Sequence, residues 1–75
     1  MTTLDQALLE ASEALTNAGL EQPRVEARTL LSHSIGMTSA QILSRGDTGI
    51  ETPALHTYRD AVSRRCAGMP LAYIT

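Results

Sequence analysis

The sequence predicts an all-α domain, a small bundle of four helices followed by a short fifth helical turn. Four segments space their apolar residues at intervals of three and four, and residues that begin or end helices bound each of them. No segment alternates apolar and polar residues for long enough to form a strand. The chain has 75 residues and one cysteine, so we expect a single domain without an internal disulfide.

The first helix is predicted over Leu4–Ala18. Thr3 and Gln6 have the spacing of a capping box, in which two side chains satisfy backbone N–H groups at the helix start. Gly19 stands where a left-handed residue commonly ends a helix. The apolar face of this helix consists of Leu4, Leu8, Ala11 and Leu15.

The second helix is predicted over Pro23–Ile35, because proline suits the first helical position and Gly36 can end the helix. We expect this helix to bury Ala27, Leu30, Leu31 and Ile35.

A short third helix is predicted over Ser39–Arg45. Thr38 and Gln41 form a second capping-box pattern, and Met37 and Ile42 stand at the positions of a hydrophobic staple. Gly46 is predicted to end this helix.

The fourth helix is predicted over Pro53–Ala67, with Thr52 as its N-cap. Its apolar face consists of Leu55, Tyr58, Val62 and Cys66. Gly68 is predicted to end it. Pro70 then permits a fifth helical turn, Leu71–Ile74, whose apolar residues face the core.

Composition limits the classes of partner. The net charge is −2, so no overall field attracts nucleic acid, and we expect no direct nucleic-acid binding. All six basic residues are arginines. No apolar run approaches the ~20 residues of a membrane span, and the start of the chain lacks the pattern of a signal peptide. We therefore expect a cytoplasmic monomer that does not contact membranes.

The sequence offers no convincing catalytic, cofactor-binding or metal-ligating residue. Cys66 lies on an apolar helical face, which favours a small buried hydrophobe over a nucleophile. His33 and His56 stand on different helices without a third ligand at metal-binding spacing. Glu10 and Glu13 are one turn apart on a polar face and are expected to be solvated. The dispersed glycines form no phosphate-binding loop.

Two adjacent arginines, Arg64 and Arg65, stand in the final turn of the fourth helix. The helix dipole favours cations there, and guanidinium groups also bind carboxylates and backbone oxygens with defined geometry. We predict that these two residues contact a partner protein or a following domain. Because their side chains point about 100° apart, we expect one to pair with the helix end or with Asp60 and the other to be free.

Two motifs resemble those of a known family. Residues Pro23–Gly36 are similar to a P-R-x-(E/D)-A-x-x-L-L-x-x-x-x-G pattern, and residues Arg64–Ile74 are similar to an RR-x-x-G-x-P-(L/I)-A-(Y/H)-(I/L) junction. Together, in this order, they resemble the HemK (PrmC) family of peptide chain release factor glutamine methyltransferases. In that family the junction closes a helical N-terminal domain.

The resemblance implies a function for the complete protein. Such an enzyme transfers a methyl group from S-adenosylmethionine to the glutamine of the GGQ motif in release factors. Residues 1–75 would be the N-terminal substrate-recognition domain, a fragment without catalysis or cofactor of its own. The Rossmann-like methyltransferase domain would follow. The implied partners are release factors and that catalytic domain.

Two other functions remain open from the residues alone. One is a free-standing helical protein–protein interaction module. The other is a helix-turn-helix DNA-binding unit built on the second and third helices, whose connection is short. Against it, the third helix carries only Arg45 as a base-reading cation, and the net charge is negative.

Overall fold

The structure is a computed structural model that describes residues 1–74. Its helices are α1 (Leu4–Asn17), α2 (Pro23–Ile35), α3 (Ser39–Ser44), α4 (Thr52–Cys66) and α5 (Leu71–Ile74). Over the described residues the only β pairing is an isolated antiparallel bridge between Thr3 and Gly49. The predicted all-α bundle, four helices and a fifth turn, is confirmed. No helix within residues 1–74 combines the length and apolarity needed to cross a bilayer.

Both predicted capping boxes are present. The Thr3 N–H donates to Gln6 Oε1 at 2.9 Å, and the Gln6 N–H donates to Thr3 Oγ1 at 3.2 Å. Thr38 and Gln41 make the same exchange at 3.0 and 3.1 Å. Each box satisfies two backbone donors that would otherwise lack a partner at a helix start. Gly36 ends α2 as predicted, with a left-handed φ of 69°.

The predicted cap of α4 is wrong. Thr52 is the first helical residue, and Glu51 is the N-cap, with extended backbone and no side-chain capping bond. The reason is that the Glu51 carbonyl already accepts the first helical hydrogen bond, from the Leu55 N–H at 2.9 Å. The last residues of the predicted helices 1, 3 and 4 are C-caps and lie just outside the helices: Ala18, Arg45 and Ala67.

Gly46 has a different role from the predicted one. Arg45 is the C-cap of α3, and Gly46 does not adopt a left-handed φ. A Cβ atom at Gly46 would overlap the carboxylate of Asp5, so another residue here would require that exposed side chain to move. The loop approaches the start of α1 closely at this point, where the Asp5 N–H donates to the Gly46 carbonyl at 2.9 Å.

The core lies where α1, α2 and α4 pack against one another, with α3 against α2 and α5 against α4. Leu8, Ile35 and Cys66 are only half-buried, and Leu71 and Ile74 of α5 pack against the core as predicted. The buried set is Leu4, Ala7, Ala11, Leu15, Ala27, Leu30, Leu31, Ile42, Ile50, Leu55, Tyr58, Ala61 and Val62.

The loop between α3 and α4 is fastened to the start of the chain. The Leu4 N–H donates to the Thr48 carbonyl at 2.9 Å, and the Ile50 N–H donates to the Thr2 carbonyl at 2.8 Å. Ile50 is buried beneath this contact. The loop thus supplies acceptors to N–H groups in the first turn of α1, which have no partner inside the helix.

Candidate functional site

Arg65 joins three parts of the chain at the end of α4. Its guanidinium donates to the carboxylate of Glu26 in the first turn of α2, through Nε and, at 3.4 Å, through Nη2. Its Nη1 donates to the carbonyl of Met69 at 3.3 Å. The hydrogen bond with Glu26 raises the pKa of Arg65, and burial opposes this effect. Arg65 therefore links α2 and α4 to the turn that leads into α5.

The turn after α4 is held by its own backbone. Gly68 has a left-handed φ of 98°, a conformation that glycine adopts without a steric penalty. The Gly68 N–H donates to the Arg65 carbonyl and the Met69 N–H donates to the Arg64 carbonyl, both at 3.1 Å. The direction in which α5 leaves the bundle is thus fixed by both backbone and side-chain bonds.

Arg64 points away from Arg65. It pairs with Asp60 one turn earlier, with 3.0 Å between Nε and Oδ2, and both side chains are more than half exposed. The expected pairing of one of the two arginines with Asp60 is confirmed, and Arg64 is the one that makes it. The expectation that one of the two arginines is free is wrong, because Arg65 finds the distant Glu26 through the packing of α2 against α4.

A second inter-helix pair was not predicted. Arg59 on α4 donates to both oxygens of Glu10 on α1, at 2.9 and 3.2 Å. The expectation that Glu10 is only solvated is therefore wrong, because local spacing carries no information about a partner 49 positions away. Both side chains are exposed, so the pair contributes little to stability.

The remaining candidates do not assemble into a site. Cys66 lines an apolar depression between α1 and α4, where it faces small alanine side chains. His33 and His56 are exposed on α2 and α4. Within residues 1–74 no three histidine, cysteine or acidic side chains gather as metal ligands.

The described residues do not fit S-adenosylmethionine. A nucleotide-like cofactor of this kind is bound where a strand runs into a glycine-rich turn, and the elements of residues 1–74 are helices. The two glycines that permit a close approach, Gly46 and Gly49, are approached by the side chains of Asp5 and Met1 from the same chain.

A groove runs along α1 where α2 and α3 flank it. Its apolar lining includes Leu8, Leu9 and Leu43, and two arginines of α2, Arg24 and Arg28, stand on one side. Leu9 is 64% exposed and Leu43 is 61% exposed. The sequence analysis did not identify this surface, because it requires three helices to be placed against one another.

Comparison with known proteins identifies the chain. A model of the PrmC N-terminal domain matches residues 6–75. The chain belongs to this family. This match confirms the family that two sequence motifs predicted, namely the pattern in the second helix and the junction after α4.

Several curated relatives are similar to this PrmC N-terminal domain. The release factor glutamine methyltransferase of Moorella thermoacetica is 40% identical over 73 residues, which is 97% of this chain and 26% of the relative. Those of Deinococcus radiodurans and Vibrio cholerae are 38% and 35% identical over 72 residues, 96% of this chain and 26% and 25% of the relatives. The chain thus spans about a quarter of their length. No solved structure is significantly similar to it.

Proposed function

We propose that this PrmC N-terminal domain recognises the release factor for a glutamine methyltransferase whose catalytic domain follows it. The complete protein would transfer a methyl group from S-adenosylmethionine to the glutamine of the GGQ motif. One observation carries the proposal: the chain aligns over nearly its whole length with about a quarter of proteins named release factor glutamine methyltransferase. Membership of the PrmC N-terminal domain family supports it.

The proposal divides the work between two domains. Residues 1–75 bind and orient the release factor, and the remainder of the protein binds the methyl donor and catalyses the transfer. The lack of fit between residues 1–74 and the cofactor supports this division. The proposed partners are the release factor and the protein's own catalytic domain. We propose that the protein acts as a monomer in the cytoplasm and does not contact nucleic acid or membrane directly.

Arg64 and Arg65 are proposed as the contacts to the partner or to the catalytic domain. Arg65 already binds the Met69 carbonyl, so it would set the direction of the junction between the domains. Arg64 forms an exposed pair with Asp60. Exposed pairs contribute little, so a carboxylate of a partner could replace Asp60 at small cost.

The test of the recognition role uses the complete protein and a version without residues 1–75. Methylation of a bacterial release factor is measured by mass spectrometry, and binding of S-adenosylmethionine is measured by calorimetry. Without the domain, we expect the KM for the release factor to rise while cofactor affinity stays at the parental value. An unchanged KM would exclude the recognition role, and an inactive complete protein would exclude the enzyme assignment.

A second test concerns the arginines. In the complete protein, Arg64→Ala and Arg65→Ala should lower kcat/KM unequally, with the larger loss, about tenfold, at Arg65 because it holds the junction. Arg45→Ala, at an exposed arginine that is the C-cap of α3 and lies outside the junction, is the matched control. Parental kcat/KM and parental melting in both variants would mean that neither arginine contributes to methylation or to stability.

A further inference from the structure

The groove along α1 combines features that a surface of a monomeric domain rarely shows together. Leu9 and Leu43 expose more than half of their area, and the half-buried Leu8 lies between them and the core. Isolated exposed leucines are common, whereas Leu9 and Leu43 line one concave surface together, which is the arrangement expected of an interaction site. The apolar part of the groove therefore fits the apolar face of another protein segment.

The charges of the groove are the second observation. Arg24 and Arg28 line it, and neither guanidinium group makes a hydrogen bond or an ion pair with any residue in the described part of the chain. All three arginines of α4, in contrast, are paired with a carboxylate. In a chain with a net charge of −2, two unpaired guanidinium groups on one rim are a feature that packing does not explain.

The spacing of these arginines selects the shape of the partner. They are four residues apart on α2, so they stand one above the other with about 6 Å of helix rise between them. Carboxylates four residues apart on a second helix have the same separation. A helix laid along the groove can therefore pair with both guanidinium groups while its apolar face covers the leucines.

Acidic side chains in the same groove disfavour a polyanionic ligand. Asp5 and Glu13 of α1 also line the groove and would repel a polyanion such as nucleic acid. They favour a segment whose negative charge is confined to the side that faces α2. The groove is thus complementary to an amphipathic helix with acidic residues along one edge.

We propose that this groove binds an acidic-edged amphipathic helix of the release factor, with Arg24 and Arg28 pairing with its carboxylates and Leu9 and Leu43 covering its apolar face. This inference rests on the proposed function, in which the release factor is the substrate. The groove is also distinct from the junction with α5. On α2, Arg24 faces the groove, whereas Glu26, two residues later, faces Arg65 of α4.

The test measures the affinity of the 75-residue chain for a bacterial release factor by calorimetry at low and high salt. The double variant Arg24→Glu/Arg28→Glu and the single variant Leu9→Ser should each weaken binding about tenfold or more. The double variant should also lose most of the salt dependence. Arg45→Glu is the matched control, because it reverses an exposed arginine outside the groove, and it should change the affinity by less than about twofold.

Circular dichroism checks that each variant folds, and amide chemical shifts give a readout that does not depend on mutation. On titration with the release factor, the shifts should move along α1 and the first two turns of α2, and not around His56 on the exposed face of α4. If the groove variants bind the release factor with the affinity of the parent, the groove assignment alone is overturned. The same holds if Arg45→Glu loses as much affinity as the groove variants do. No binding by the parent chain would overturn the recognition role together with it.

Discussion

Tyr58 is the largest fully buried side chain, and it is the one aromatic ring in the core. Its hydroxyl donates to the Ala27 carbonyl of α2 at 3.0 Å, so the ring packs between helices while its polar end has a partner. Burial raises the pKa of Tyr58, and the nearby negative charge of Glu10 raises it further. A single residue thus contributes both packing and a directional bond between α4 and α2.

Replacement of Tyr58 by phenylalanine removes that bond and keeps the ring. We expect Tyr58→Phe to lower the free energy of unfolding by about 1 kcal/mol, the usual value of one buried hydrogen bond. Urea melts measure the difference. Tyr73→Phe, at a side chain that is 79% exposed, is the control and should match the parent. Equal stability of Tyr58→Phe and the parent would mean that the hydroxyl contributes nothing.

The raised pKa of Tyr58 also predicts an alkaline limit to stability. Folding favours the neutral phenol, so its contribution is complete below the unfolded pKa of about 10 and is lost as the pH rises towards the folded pKa. We expect the free energy of unfolding to fall by up to ~1.4 kcal/mol per pH unit above about pH 10. Lysine, which would titrate in the same range, is absent. A Tyr58→Phe variant with the same alkaline slope would refute the assignment.

At the scale of the element, the helices differ in whether a side chain caps their first turn. α1 and α3 begin with complete capping boxes, whereas α4 begins at Thr52 without a side-chain capping bond. The two boxes were predictable because all their partners lie within three residues. The wrong cap of α4 arose because Glu51 and Thr52 are both compatible with Pro53 near a helix start, and only the backbone angles separate them.

The difference between the two threonines can be measured directly. Thr38→Ala should lower the free energy of unfolding by about 1 kcal/mol, because it removes the side-chain acceptor of the Gln41 N–H. Thr52→Ala should change it by less than about 0.5 kcal/mol, since Thr52 is an exposed residue without a capping role. Chemical denaturation gives the free energy of unfolding of both variants. A larger loss for Thr52→Ala than for Thr38→Ala would mean that Thr52 does cap α4.

At the scale of the whole molecule, the sequence predicted the helices better than the contacts between them. Helical periodicity and glycine positions identified all five elements and most of the core. The Arg59–Glu10 and Arg65–Glu26 pairs span 49 and 39 residues and exist only because α4 packs against α1 and α2. The leucine and arginine groove likewise depends on three helices. Local patterns carry no information about such contacts, so the candidate surfaces emerged only from the fold.

The molecule as a whole should be a modestly stable monomer. Its core is small and its one cysteine is free, so no internal disulfide reinforces it. Within residues 1–74 no cluster of metal ligands does so either. We expect a helical circular dichroism spectrum, a cooperative melt well below about 90 °C, and a scattering radius near the Cα radius of gyration of 11.1 Å. A dimer mass in light scattering, or a melt above that temperature, would contradict this expectation.

The fastening of the α3–α4 loop to the chain's start has a consequence for biosynthesis. The Leu4, Asp5 and Ile50 amides join the beginning of the chain to residues 46–50. A ribosome makes the amino terminus first, so α1 cannot gain these acceptors until residue 48 has emerged. Until then the Thr3–Gln6 box, whose two partners lie three residues apart, caps the start of the nascent helix. The local cap thus stabilises the helix start while the chain is still growing. The loop between α3 and α4 replaces water as the partner of the Leu4 and Asp5 amides only after residue 48 has been made.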